Sequence, residues 1–134
     1  MTTYFDSSAL LKLYLDEVDS TEAVRIIEAD PVRVTAWLTL VEVRRNLARL
    51  LSGGSLTRAR EACERDLDAM ALINLDEQGW RRAADIAETL GVRSLDATHL
   101  ASAQMLRVPD LLFCTFDIRQ GQAARQLGMR VVGC

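Results

Sequence analysis

The chain has 134 residues, 49% of them apolar and 26% charged, which predicts one domain over residues 1–134 with a real hydrophobic core. No apolar run approaches the roughly 18 residues of a membrane span, and the N-terminus lacks a basic-then-apolar leader, so the expectation is a cytoplasmic protein without membrane contact. A net charge of −3 argues against a broad electropositive surface that grips any nucleic acid by its phosphates, while leaving room for a local basic patch.

In chain order, "TTYFD" at 2–6 reads as a short strand and "SSALLKLYLDE" at 7–17 as a helix. "STEAVRIIEA" predicts a second helix that Ser20 or Thr21 could cap, and "DPVRVT" a turn and a strand. "WLTLVEVRRNLARLL", from Trp37 to Leu51, is strongly helical, with "SGG" at 52–54 as its stop. A helix from Leu56 to about Met70 leads into "ALINLD", a strand that ends on an acid, and "EQGWRRAADIAETLG" is a helix closing at Gly91. "SLDATHLASAQMLR" is a helix rich in alanine and serine, which lets a neighbouring backbone approach. After Pro109, "DLLFCTFD" is an apolar strand, "IRQGQAARQLG" a helix and "MRVVG" the last strand. Strands separated by helices imply an α/β fold whose parallel sheet is covered on both faces.

In such a sheet the carboxyl ends of all strands lie at one edge, and ligands collect there. That topology nominates Asp6, Asp76 and Asp117, which directly follow strands; it does not nominate Asp96. Each nominee has a second explanation as a helix cap, a role that contributes about 0.5–2 kcal/mol. Glu42 sits inside a helix, where no cap is needed. Leu40, Val43, Leu47, Leu50 and Leu51 form the apolar face of that helix, and Glu42, Arg45 and Arg49 lie together away from it. These three form either a solvated, charge-paired face or part of a site.

Cys63, Cys114 and Cys134 lack metal-knuckle or redox spacing and read as reduced, with Cys114 packed in a strand. Fifteen of the 16 basic residues are arginine, which reflects either compositional bias or a use of bidentate phosphate contacts. Trp37 and Trp80 read as core or interface anchors. His99, one turn after Asp96, reads as a packed or hydrogen-bonded residue rather than a general base.

The motifs "YFDSSALLKLYLDE", "LTLVEVRRNL", "SLDATHLASA" and "CTFD", with a terminal "AARQLGMRVV", follow in order along nearly the whole chain. In these the sequence resembles the PIN-domain nucleases, most closely the small toxin ribonucleases of VapBC-type toxin–antitoxin pairs. The one departure noticed is "DSS" where many relatives have "DTS", which leaves the chemistry intact. The resemblance implies a three-layer α/β/α domain with a mostly parallel sheet of about five strands. It also implies that Asp6, Glu42, Asp96 and Asp117 form an acidic quartet holding divalent metal, with Ser8 and Thr115 in support, and it returns Asp76 to the role of a cap.

Four converging carboxylates repel one another and call for a counter-ion; oxygen-only ligands favour Mg²⁺ or Mn²⁺ over zinc. Such an ion would serve hydrolysis of an RNA phosphodiester by activated water. Acids also repel phosphates, so Arg45, Arg49 and Arg93 are candidate phosphate contacts. The resemblance further implies a cognate antitoxin, homodimerisation within the complex, and DNA contact only through that antitoxin. A phosphatase with an aspartyl nucleophile would want a second aspartate where Ser8 stands, and a phosphate-receiving signalling domain would want a lysine late in the chain. The remaining rival is a catalytically silent binding module of the same fold.

Overall fold

Strand β1 (Thr2–Phe5) sets the layers, because successive side chains of a strand point to opposite faces. Tyr4 enters one core and Phe5 the other, and both are buried. The computed structural model describes residues 1–134. Its other strands are β2 (Val32–Ala36), β3 (Ala71–Ile73), β4 (Leu112–Cys114) and β5 (Arg130–Val132). Its helices are α1 (Ser7–Leu11), α2 (Ser20–Ala29), α3 (Trp37–Leu50), α4 (Gly53–Asp68), α5 (Glu77–Leu90), α6 (Ser94–Met105) and α7 (Ile118–Gln126).

The sheet order is β3-β2-β1-β4-β5, and every neighbouring pair is parallel. The expected three-layer α/β/α fold is therefore present, with a wholly parallel sheet. On one face Tyr4, Val34 and Phe113 meet Ala83 and Ile86 of α5, Leu100 and Ala101 of α6, and Ala124 of α7. The rings of Tyr4 and Phe113 stack with centroids 5.4 Å apart. On the other face Phe5 and Cys114 meet Leu10, Ile26, Ile27, Val43, Leu47, Cys63 and Leu67 from α1 to α4. Because the chain winds outward in opposite directions from β1, the order switches between β1 and β4, and the loops after these two strands open a crevice at the sheet's carboxyl edge.

Local chemistry explains where elements end. Gly91 closes α5 in the left-handed conformation (φ 67°) with its N–H on the Ala87 carbonyl at 3.0 Å, as expected. The first helix is shorter than expected: it ends at Leu11, and Leu13 and Tyr14 donate to the carbonyls three residues back. Leu13, Tyr14 and Leu15 all pack against the second core. Three consecutive residues span too wide an arc of a helix to share one buried stripe, so the backbone turns instead. Neither Ser20 nor Thr21 caps α2; Asp19 holds that position without a side-chain bond. The Ser20 hydroxyl instead donates to the Leu15 carbonyl at 2.6 Å and accepts from the Glu17 N–H at 3.0 Å, tying the turn together.

"SGG" does more than end α3. Leu51 leaves the helix in an extended conformation, Ser52 flanks the next, and α4 starts at Gly53 rather than Leu56. β3 stops at Ile73, short of Asp76. The buried face of α3 is Thr39, Val43 and Leu47, and Leu50, expected on it, is 59% exposed. Trp37 and Trp80 are 46% and 56% exposed and so are not core residues.

Gly133, just after β5, has φ 102°, and a Cβ placed on it would overlap the carbonyl oxygen of Thr115. Since Thr115 also donates its N–H to the Val132 carbonyl at 3.1 Å, this contact holds the β5 end against the loop that carries Asp117. Gly133→Ala is expected to destabilise the protein by more than about 1 kcal/mol, read as a lower denaturation midpoint. An unchanged midpoint would show that the β5 end relaxes freely.

Candidate active site

Asp6 is the first residue beyond β1, held there by its N–H on the Cys114 carbonyl at 3.1 Å. Its Oδ1 accepts from the Ala9 N–H at 3.0 Å, capping α1, and from the Ser8 hydroxyl at 2.6 Å. The Ser8 oxygen in turn accepts the Phe116 N–H at 3.0 Å and lies 3.2 Å from Thr115 Oγ1. Thr115 Oγ1 accepts the Asp117 N–H at 3.1 Å. A continuous chain of hydrogen bonds thus runs from Asp6 through Ser8 and Thr115 to Asp117. Asp117 itself caps α7, its Oδ1 accepting from the N–H groups of Arg119 and Gln120 at 2.9 and 3.1 Å.

Glu42 projects from the middle of α3. Its Oε1 accepts from the Ser7 hydroxyl at 2.6 Å and from His99 Nε2 at 2.7 Å. His99 is buried, and its Nδ1 lies 2.8 Å from the Tyr4 hydroxyl. Burial pushes the Tyr4 pKa well above its ordinary value, so Tyr4 is a neutral phenol with a proton to donate. Because the Glu42 carboxylate only accepts, the His99 hydrogen in that bond sits on Nε2, aimed at Glu42. Asp96 stands in the first turn of α6, with its Oδ2 3.2 Å from Arg93 Nε.

All four acids line one cavity of about 180 Å³, together with Ser7, Ser8, Asn46, Arg93 and His99, and Leu11 is its one apolar contributor. Each acid engages the protein through one oxygen only. Asp6 Oδ2, Glu42 Oε2, Asp96 Oδ1 and Asp117 Oδ2 carry no hydrogen bond. The side chains do not already converge closely enough for three of them to grip an ion. The donor set nevertheless fits a hard divalent cation in kind, since each member offers a free carboxylate oxygen to one cavity and no thiol or free imidazole competes.

The electrostatics of the two most enclosed acids differ. Burial raises the pKa of Asp6, and His99, the Ser8 and Ala9 hydrogen bonds and the nearby Thr115 hydroxyl offset only part of that rise. Burial pushes Glu42 upward too, but His99, Ser7 and Arg93 outweigh it and hold the carboxyl below its usual range. Of these two acids, Asp6 is the one whose burial is not offset.

Of the other nominees, Asp76 caps α5 through the Gly79 N–H at 2.8 Å and lies outside the cavity. Among the arginines, Arg93 reaches the cavity. Arg45 and Arg49 remain on the exposed side of α3 outside its lining, and Arg49 approaches only through Asn46, at 3.3 Å. Three neighbours escaped the sequence reading: Ser7, Asn46 and Gln120. Asn46 lies one helical turn from Glu42, a spacing that could have flagged it. Ser7 could not be told from Ser8 in "DSS". Gln120 is buried and its Nε2 donates to the Asp96 carbonyl at 3.1 Å, joining α7 to α6; no sequence signal points to it.

The PIN domain model matches residues 3–126. The chain belongs to the PIN-domain family, among its VapC-like members. It is 39% identical to ribonuclease VapC46 of Mycobacterium tuberculosis over 132 residues, covering 96% of this chain and 95% of that protein. Among solved structures it resembles the Mycobacterium tuberculosis VapC20, a sarcin–ricin-loop-cleaving toxin, with a TM-score of 0.75 and 18% identity over 91% and 95% of the two chains. It also resembles a chain of a toxin–antitoxin complex from Klebsiella pneumoniae, with a TM-score of 0.69 and 21% identity over 87% of each chain.

Because the pKa of Asp6 is raised above its ordinary 3.8, the native state binds this proton more tightly than the unfolded chain does. The penalty is absent below about pH 3.8, where both states are protonated, and grows as pH rises through the folded-state value. Asp6→Asn keeps the capping acceptor and removes the charge. In chelator it is expected to raise the thermal midpoint at pH 7, with the gain shrinking as pH falls toward 4. A midpoint at or below wild type at pH 7 would mean that the carboxylate is not a net burden.

Proposed function

We propose that this protein is a Mg²⁺- or Mn²⁺-dependent endoribonuclease and the toxin half of a cytoplasmic toxin–antitoxin pair. The observation that carries the reading is the set of four acids on one cavity, each with one oxygen fixed by the protein and the other free. The ribonuclease names of its relatives support the substrate class.

The free oxygens of Asp6, Glu42 and Asp96 would hold the principal ion, with Asp117 completing the set. When bound, such an ion supplies positive charge that polarises a phosphate and lowers the pKa of a water. The chain's own residues prepare the site. Ser8 and Thr115 fix the orientation of Asp6 and Asp117, and Ser7 and His99 keep Glu42 ionised and aimed. Arg93 can leave Asp96 for a substrate phosphate, since the pair is exposed and weakly held. Hydrolysis joins a water oxygen to phosphorus and breaks the P–O3′ bond, leaving a 5′ phosphate and a 3′ hydroxyl. Single-stranded or loop RNA suits the site because its backbone can enter the cavity without unpairing. The structural likeness to a chain of a toxin–antitoxin complex supports a protein partner that masks the acids and supplies any DNA contact, with the toxin itself as a homodimer.

The test is cleavage of a mixed RNA pool containing tRNA and rRNA by wild type and by Asp96→Asn, with Mg²⁺, with Mn²⁺ and with chelator. Wild type is expected to cleave only with metal, and Asp96→Asn to lose about 100-fold or more. A folded wild type that cleaves nothing under any condition would favour the silent binding module.

A further inference from the structure

Beside the acidic cavity lies a second, larger groove of about 500 Å³. Arg119, Gln122 and Gln126 line it from one stripe of α7, spaced three and four residues apart, with Arg125 alongside and Leu90 and Val92 beneath. The walls of the two hollows are neighbours in the chain. Val92 and Arg119 line the groove, while Arg93 and Asp117, one and two residues away in the chain, line the cavity.

The groove's charge is one-sided. No acid lines it. Two other arginine-bearing hollows, at the start of α5 and the end of α6, each include an acid: Asp85 beside Arg81, Arg82 and Arg107, and Asp110 beside Arg107 and Arg130. Arg119 is exposed and makes no ion pair, and Arg125 donates one N–H to the Cys134 carbonyl at 2.6 Å and keeps its other donors. In a chain of net charge −3, two arginines in a groove lined by no acid, with Arg119 two residues from the cavity's Asp117, meet a specific need. A polyanion approaching those acids is repelled unless cations neutralise the phosphates next to the one being cut. The apolar floor and the two amides suit the ribose and base between phosphates.

Resting on the ribonuclease reading, we propose that this groove carries the single-stranded RNA flanking the scissile phosphate, with Arg119 and Arg125 each neutralising one backbone phosphate. The arginines suggested by sequence, Arg45 and Arg49, are then not the main substrate contacts.

The experiment compares wild type, Arg119→Gln/Arg125→Gln and, as a control with the same charge change elsewhere, Arg81→Gln/Arg82→Gln. Binding of a fluorescein-labelled single-stranded RNA of random sequence is followed by anisotropy in chelator between about 50 and 200 mM salt. Cleavage of the mixed RNA pool with Mn²⁺ is followed in parallel, and folding is checked by circular dichroism. The groove variant is expected to bind roughly tenfold more weakly at low salt, with a log–log salt slope shallower by about 1.4, the signature of two lost single-strand phosphate contacts. The control should match wild type. Equal loss in both variants, or in neither, overturns the groove while leaving the nuclease reading intact wherever wild type still cleaves. Binding that depends on Arg119 and Arg125 without any metal-dependent cleavage keeps the groove and removes the nuclease. Neither binding nor cleavage by folded wild type removes both.

Discussion

The Ser8 hydroxyl is the joint on which the site depends. It donates to Asp6 at 2.6 Å and accepts the Phe116 N–H at 3.0 Å, so the loop after β1 and the loop after β4 cannot move independently. Those loops lie side by side because the sheet order reverses between β1 and β4. A serine is enough for this task, since one oxygen both gives and receives a hydrogen bond. The departure "DSS" falls on Ser7, whose hydroxyl still donates to Glu42 at 2.6 Å, and leaves the junction serine unchanged.

Around this joint the protein tolerates an electrostatic burden. Asp6 is buried with its pKa raised, while Glu42 is kept ionised by His99 and Ser7. A protein selected for stability alone would replace such a cluster with apolar side chains. The Tyr4–His99–Glu42 line runs from the strand core to the cavity and anchors the acid to a ring pair that stacks inside the sheet's own packing. Positional precision at the site is thus borrowed from the hydrophobic core, where side chains have little freedom. This explains why Glu42 can sit in the middle of a helix, with no cap to orient it.

Much of the architecture was legible in the chain. Five strands were legible because apolar runs such as "TTYF" and "LLFC" break on turns and acids, and Gly91 announced the end of α5 through its left-handed conformation. Boundaries were less legible. Periodicity continues past Leu11, and the demand of the second core for Leu13, Tyr14 and Leu15 together overrides it. The helical wheel of α3 assigned Leu50 to the core, but the last turn projects beyond the packed layer. For the site, topology alone proposed Asp76 and passed over Asp96. Asp96 joins the cavity because α6 begins at the same edge where β1 and β4 end, a fact of packing rather than of local sequence.

By itself the sequence determined the alternation of strands and helices, the parallel sheet and the presence of acids directly after β1 and β4, since these follow from periodicity and short-range chemistry. Only the tertiary structure decided which acids meet, which oxygen of each remains free, that His99 and Ser7 serve Glu42, and that arginines of α7 rather than Arg45 and Arg49 of α3 line a groove free of acids. The reason is physical. Helical and strand periods are set within a few residues, whereas the distance between Asp6, Glu42, Asp96 and Asp117 is set by how two separate cores press their helices onto one twisted sheet.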